Sequence, residues 1–137
     1  MRRSIFALSV ASAAAGIAAF ALPATAMEDE LPEWQQARAI GTAERCIPLR
    51  QIRSTEVRDD QTIDFVMTGG RTYRNTMANR CGGLRFERAF SYSTSLSQLC
   101  SSDIITVLNR TGGAFMRGAS CGLGEFTPIE FPEDAEE

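Results

Sequence analysis

Histidine and lysine are both absent from this 137-residue sequence, and the two absences exclude most kinds of enzymatic chemistry. A chain without histidine has no Ser-His-Asp or Cys-His nucleophile system and no imidazole base that titrates near neutral pH. A chain without lysine forms no Schiff base and lacks the phosphate-binding lysine of a P-loop. We therefore assign no catalytic residue and no cofactor to this sequence.

The N-terminus has the three parts of a secretory signal peptide. Arg2 and Arg3 form a basic start, residues 5–22 form an apolar run, and Ala24 and Ala26 give the A-x-A cleavage pattern. The apolar run is rich in alanine rather than leucine, which does not favour a transmembrane anchor. Residues 1–26 are thus predicted to be removed on export to the periplasm or the exterior. Their removal lowers the formal net charge from −3 to −5, because two arginines leave with them.

Four cysteines remain in the predicted mature chain, and no two are closer than 19 residues. The C-x-x-C pairs of zinc sites and thioredoxin-like redox motifs are absent, so we predict no metal site. An even number of cysteines in an exported chain indicates two disulfides, with three pairings open. The four residues are Cys46, Cys81, Cys100 and Cys121.

Hairpin geometry favours one of the three pairings. A hairpin centred between Arg110 and Thr111 would place Cys100 opposite Cys121, at a separation that a disulfide can span. The remaining bridge would then join the two other cysteines, Cys46 and Cys81.

Short β-strands separated by glycine-rich turns dominate the chain. Segments 62–67 and 71–77 flank Thr68-Gly69-Gly70, which is a hairpin signal because tight turns need positive φ angles. Segment 104–108 is the most apolar and predicts a central strand. Leu31-Pro32-Glu33-Trp34 predicts the start of a short helix. The fold class is therefore predicted to be mainly β: a small antiparallel barrel or curved sheet with a short N-terminal helix and two disulfides.

Composition divides the chain into four parts. The signal peptide covers 1–26, an N-terminal segment with the short helix covers 27–44, and the β-rich, disulfide-stapled domain covers 45–124. The last part, 125–137, holds six acidic residues and two prolines. We expect it to be a solvated acidic tail, since like charges repel and proline blocks regular pairing. The alternative is that this tail covers a basic face until an anionic ligand displaces it.

Carboxylate pairs are the catalytic groups that the sequence retains, and they would suit glycoside hydrolysis. A structural role explains most of them equally well: the adjacent aspartates 59 and 60 favour a turn, residue 64 is predicted on the exposed face of a strand, and residue 103 is predicted to cap a turn. The candidates are Glu56, Asp59, Asp60, Asp64, Glu87 and Asp103.

Arginines beside an aromatic residue are the clearest candidates for ligand contacts. Arg53, Arg71 and Arg74, together with Tyr73, would suit an anionic envelope ligand. Guanidinium groups bind phosphate and carboxylate in a bidentate manner and stack on aromatic rings. The alternative is that these arginines pair with the neighbouring aspartates across adjacent strands.

Seven short segments carry a resemblance to a known family. The longest, 91–100, reads SYSTSLSQLC. The others are 45–47, 52–55, 59–63, 73–75, 103–108 and 119–124. Together they resemble a family of small exported proteins of Gram-negative bacteria, classed as a domain of unknown function, over about residues 45–130. The resemblance implies an envelope protein and brings no activity, ligand or catalytic residue.

We therefore expect a non-enzymatic binding or structural module, periplasmic or secreted, whose partner is an envelope ligand or protein. We expect no nucleic-acid partner and no stable membrane insertion after the signal is cleaved.

Two alternative functions remain open. One is a carboxylate-dependent hydrolase acting on cell-wall glycans, which a deep cleft with two convergent carboxylates would favour. The other is an inhibitor of a host hydrolase such as lysozyme, since an acidic protein suits a basic enzyme.

Overall fold

The computed structural model describes residues 31–133, and the mainly β class predicted from the sequence is confirmed there. The predicted signal peptide lies outside the described residues. In chain order the elements are α1 (Glu33–Gln36), β1 (Arg38–Ala39), β2 (Cys46–Pro48), a 3₁₀ turn (Leu49–Gln51), β3 (Ile52–Val57), β4 (Thr62–Met67), β5 (Thr72–Thr76), α2 (Leu84–Glu87), β6 (Phe90–Tyr92), β7 (Gln98–Cys100), β8 (Ile104–Thr111), β9 (Ala114–Gly122) and β10 (Phe126–Glu130). Within this range no helix is long and apolar enough to span a bilayer.

The strands form antiparallel sheets that do not close into a barrel. The largest sheet has the order β1-β10-β5-β4-β3, a second has the order β6-β8-β9, and β2 pairs with β7 alone. Of the two architectures that the sequence left open, the barrel is wrong. A barrel pairs its first strand with its last, whereas β3 and β9 each end a sheet and have no second neighbour among the described strands.

The first predicted hairpin is confirmed. Strands β4 and β5 pair with Phe65 opposite Tyr73, and the turn between them places Gly69 and Gly70 at φ angles of 96° and 90°. Only glycine adopts such angles without steric cost. Alternation along β4 directs Phe65 and its neighbours two residues away into the core, as the sequence pattern predicts.

The second hairpin turns two residues later than predicted. Gly112 and Gly113 form the turn, with φ angles of 59° and 81°, and Thr111 pairs with Ala114. The predicted centre between Arg110 and Thr111 is therefore wrong. The positive φ angles explain the difference, because a tight two-residue turn needs them at both central positions and the Gly-Gly pair adopts them most easily.

The predicted disulfide pairing is also wrong: the bridges are Cys46–Cys100 and Cys81–Cys121. Cys46 of β2 lies directly opposite Cys100 of β7, with Cα atoms 4.0 Å apart. The shifted hairpin places Cys121 opposite Ile105 instead of Cys100. The presence of two disulfides, as predicted, is confirmed. They span 54 and 40 residues, and each is worth about 4 kcal/mol in the chain-entropy model.

One core joins the three sheets. The ring of Phe65 in β4 lies 5.5 Å from that of Phe126 in β10 and 6.4 Å from that of Phe90 in β6, both in edge-to-face geometry. Ile47 and Leu99 add the buried face of the small β2–β7 sheet. Burial of these side chains against one another is the main stabilising contribution to the fold.

The predicted acidic tail begins with a buried strand, which corrects the boundary at residue 125. Phe126–Glu130 forms β10 between β1 and β5, and Phe126 and Ile129 are buried. Proline does not prevent this pairing, because the carbonyl oxygen of Pro128 still accepts a hydrogen bond from the N–H of Ile40. Residues 134–137, where the acidic residues are densest, lie outside the described range.

Candidate functional site

Arg71, Tyr73 and Glu44 form a hydrogen-bonded chain at the end of the β4–β5 hairpin. Arg71 Nη1 donates to Tyr73 Oη at 3.2 Å, and Tyr73 Oη donates to Glu44 Oε1 at 2.9 Å. Arg71 immediately precedes β5 and Tyr73 is its second residue, and side chains two apart along an extended chain point the same way. The backbone N–H and carbonyl of Glu44 both form hydrogen bonds with Phe126 in β10. These bonds hold Glu44 in position next to Tyr73.

Three adjoining surface hollows meet at Arg71. One, of about 410 Å³, is lined by Ile40, the Gly69-Gly70 turn and Ile129 among others. A second, of about 440 Å³, lies against segment 40–44 and Pro128. A third, of about 210 Å³, reaches Tyr73. Arg71 is a lining residue of all three. A ligand in any of these hollows would therefore lie next to Arg71.

The charge of Arg71 is not used by a structural ion pair. None of the ion pairs among residues 31–133 includes Arg71, and its one side-chain hydrogen bond goes to the phenol of Tyr73. That bond, and more weakly the charge of Glu44, raise the pKa of Arg71 above its ordinary value. An exposed guanidinium group with free N–H donors is suited to bind carboxylate or phosphate.

Tyr73 is almost fully buried, at 5% exposure, and its hydroxyl group contacts Arg71 and Glu44. Its ring packs with the core cluster. Because the buried ring cannot rotate away, its hydroxyl oxygen offers Arg71 Nη1 an acceptor at a fixed position. Such an arrangement prepares the donors for a ligand and reduces the entropic cost of binding.

Arg74, a third predicted ligand contact, lies on the opposite face of β5 and is engaged by Asp64. Its Nε and Nη2 donate to the two carboxylate oxygens of Asp64 at 2.7 and 2.8 Å, and Arg58 Nε donates to the same carboxylate at 2.8 Å. The prediction that Asp64 is exposed is wrong, since its side chain is 0% exposed. The alternative interpretation, an ion pair across neighbouring strands, is confirmed for Arg74.

Aromatic rings from both ends of the fold lie over this ion-pair cluster. The guanidinium carbon of Arg74 is 5.6 Å from the ring centroid of Trp34, and that of Arg58 is 5.6 Å from the ring centroid of Phe131. Trp34 belongs to α1 and Phe131 follows β10. The two rings cover part of the cluster, and on this outer face of β4 Thr62 and Asp64 are buried while Val66 is half-buried.

Arg53, the remaining candidate, does not join the others. It is exposed on β3, the outermost strand of its sheet, at a register shift between Ile52 and Ser54. It is not among the residues that line the three hollows around Arg71. The structure thus brings together Arg71 and Tyr73 of the four predicted residues and separates Arg53 and Arg74 from them.

Five of the six carboxylates considered for catalysis hold backbone or arginine groups in place, and the sixth, Glu56, is exposed on β3. Asp60 accepts from the N–H of Arg85 and from Arg80. Asp59, Glu87 and Asp103 each accept from a backbone N–H group. Within residues 31–133, no three side chains of His, Cys, Asp or Glu converge closely enough to hold a metal ion.

Two residues of these clusters, Glu44 and Arg58, could not be identified from the sequence. Glu44 is 29 positions before its partner Tyr73 and lies outside any regular strand. Arg58 approaches Asp64 from a turn. The contacts of both depend on tertiary packing, which no periodic pattern encodes.

Comparison with known proteins gives no match to a family model, a curated protein or a solved structure.

Proposed function

We propose that this protein is an exported, non-enzymatic binding module of the bacterial envelope that holds an anionic ligand at Arg71. The observation that carries the proposal is an exposed arginine, oriented by a buried tyrosine and free of any ion pair among the described residues, at the junction of three hollows. Two disulfides are typical of a protein in an oxidising compartment. The signal-like residues 1–26 and the resemblance to exported Gram-negative proteins support the envelope location.

The ligand is expected to combine an acidic group with a partly apolar body. Its carboxylate or phosphate would accept from the free N–H groups of Arg71. Its body would lie in the hollows, whose walls include the side chains of Ile40, Ile129 and Pro128. Glu44 holds the hydroxyl of Tyr73 and places one negative charge near the site, which disfavours a ligand of high negative charge.

Titration by NMR tests the proposal with three small probes: inorganic phosphate, glycerol 3-phosphate and N-acetylmuramic acid. The two phosphates and the sugar carboxylate distinguish the two kinds of acidic group. We expect saturable shifts at the N–H groups of residues 69–73. Arg71→Ala should weaken binding by about tenfold or more, since one charge-assisted bidentate contact is worth about 1.5–3 kcal/mol.

Arg53→Ala is the matched control, because Arg53 is also an exposed arginine at a strand of the same sheet. It should leave binding unchanged. Arg71→Lys should restore part of the affinity, since the charge returns without the planar fork. Equal weakening by the two alanine variants would show that only net charge matters and would refute a site at Arg71, as would an absence of saturable shifts with all three probes.

Export is tested separately. Protein recovered from the periplasm should begin at Met27, and N-terminal sequencing that starts at Met1 would contradict the envelope location.

A further inference from the structure

The end of the β8–β9 hairpin, residues 110–117, projects from the fold; we call it the hairpin tip. All eight residues are exposed. Successive side chains on a strand point to opposite faces, so continuous exposure means that neither face of the tip is covered by the described residues. Closer to the core β8 is buried, with no exposed surface on Ile105 or Val107, whereas β9 is at most half-buried, at Gly118 and Cys121.

The tip combines large apolar side chains with positive charge. Phe115 and Met116 are each 58% exposed, and as consecutive residues they occupy opposite faces. The guanidinium carbon of Arg110 lies 5.3 Å from the ring centroid of Phe115, and Arg117 follows Met116. Residues 104–124 contain no acidic residue, although the whole sequence has a net charge of −3. The tip is therefore a basic and apolar projection on an acidic protein.

The base of the tip is held firmly. Glu87 of α2 accepts a hydrogen bond from the backbone N–H of Arg110 at 3.0 Å. The side chain of Asn109 packs so closely on Gly118 that a side chain at position 118 would collide with it. These two contacts anchor the tip at its base, and its apolar side chains lie beyond them.

From this combination we infer that the hairpin tip docks on an anionic lipid bilayer. Phe115 and Met116 enter the interfacial region from the two faces of the hairpin, and Arg110 and Arg117 bind lipid phosphates. Apolar contact together with basic charge is what drives peripheral binding to anionic membranes. Arg110 stacks on Phe115, so the ring carries its own phosphate-binding group into the headgroup layer.

Charge complementarity and the two-faced exposure favour a bilayer over other occupants. A second copy would bring two equally basic tips together, which like charges oppose. A partner strand added to the free edge of β9 would use backbone groups of that edge and leave one face of the tip in water. A bilayer surrounds both faces at once. The inference rests on the tip alone and is independent of the proposed ligand site at Arg71.

Co-sedimentation with lipid vesicles tests the inference. The chain from Met27 onwards is suitable, because every described element and both disulfides lie beyond residue 30. Vesicles of phosphatidylethanolamine and phosphatidylglycerol in equal parts should bind the protein, and binding should fall as salt rises. Vesicles of phosphatidylcholine alone should bind it at least several-fold less.

The decisive variant is Phe115→Ser with Met116→Ser, which should weaken binding to the anionic vesicles by about tenfold or more. Its matched control is Leu96→Ser with Ile104→Ser, because these side chains are equally exposed, at 64% and 58%, but lie away from the tip. The control should bind like the unaltered protein. Circular dichroism should show that both variants are folded, since the substituted positions are exposed.

A charge variant supplies the second arm. Arg110→Glu with Arg117→Glu should abolish binding to anionic vesicles. Equal binding by the unaltered protein and the Phe115→Ser, Met116→Ser variant would overturn the inference. So would an absence of binding to anionic vesicles, or a tip that cross-links to an envelope protein while vesicles bind nothing.

Discussion

Replacement of Asp64 by asparagine tests how strongly its ion-pair cluster stabilises the fold. The substitution keeps the shape of the side chain and removes its charge. The Asp64 carboxylate is fully buried and accepts three hydrogen bonds from Arg58 and Arg74. An asparagine retains one of the two oxygen acceptors and replaces the other by an NH₂ group. In at least one of the three contacts, an arginine N–H donor then faces this NH₂ donor and no hydrogen bond forms.

The magnitude follows from what the two arginines lose. Removal of one partner from a buried ion pair costs about 3–5 kcal/mol. The side chains of Arg58 and Arg74 are 25% and 14% exposed, so water reaches both and reduces the penalty. We therefore expect a loss of about 3 kcal/mol in the free energy of unfolding. For a domain of about 100 residues this lowers Tm by more than about 10 °C.

Urea denaturation measures the loss, with two probes. Trp34 is the single tryptophan of the sequence and lies over Arg74, so its fluorescence reports the cluster directly. Far-UV circular dichroism reports the sheets. Glu56→Gln is the matched control, because Glu56 lies directly opposite Asp64 on β3 but is exposed; it should change stability by less than about 0.5 kcal/mol.

A variant that makes the whole cluster apolar provides a second measurement, in case Asp64→Asn does not fold. Asp64→Leu combined with Arg58→Met and Arg74→Met replaces all three charges by apolar groups, and such replacement of a buried ion pair is often neutral or stabilising. We expect this triple variant to be more stable than Asp64→Asn. A loss of less than about 1 kcal/mol for Asp64→Asn would refute the reasoning, since it would mean that the carboxylate is solvated.

Two further predictions concern packing and pH. Gly124→Ala should destabilise the fold by about 1–3 kcal/mol, because a methyl group there would overlap the carbonyl oxygen of Thr76, whereas Gly122→Ala meets open space and should cost far less; equal urea midpoints would contradict this. The N–H of Arg85, with the charge of Arg80, holds the pKa of Asp60 below its ordinary value of 3.8. Its stabilising contribution is therefore complete above about pH 4 and is lost as pH falls through the lower, folded-state pKa. Asp60→Asn should accordingly flatten the acid limb of a plot of Tm against pH, and parallel plots for the variant and the unaltered protein would contradict the prediction.

The first hairpin could be predicted from the sequence because neighbouring residues determine both its strands and its turn. Alternation in β4 identifies one buried face, and Gly69-Gly70 identifies the turn. Near the turn, the position of the turn also decides which residues face each other, so an error in placing the second turn displaces every pair that follows from it. A turn displaced by two residues moves the position opposite Cys121 by four, from Cys100 to Ile104, and the register shift between Thr106 and Leu108 moves it by one more, to Ile105. The disulfide prediction therefore failed together with the turn.

The misplacement of Asp64 has a different cause. A polar residue in an alternating strand is normally on the water side, and Asp64 does lie on the face opposite the core side chains of β4. Asp64 is nevertheless buried, because Arg58 and Arg74 pack against its carboxylate and the rings of Phe131 and Trp34, from distant parts of the chain, lie over those arginines. Alternation in the sequence predicts correctly which face of the strand a residue lies on. It does not predict whether distant side chains cover that face.

Arginine performs the electrostatic roles of this lysine-free fold, and the sequence alone does not separate those roles. Arg74 and Arg110 both lie over an aromatic ring, at 5.6 and 5.3 Å from the centroid. Arg74 also binds a buried carboxylate with two donors, so it has little capacity left for a ligand. Arg71 contacts a neutral phenol instead, which orients the guanidinium without neutralising it. We therefore propose the ligand-binding role for Arg71 rather than for Arg74 because of its unpaired donors, and the number of these donors depends on where Asp64 and Glu44 lie in the folded chain.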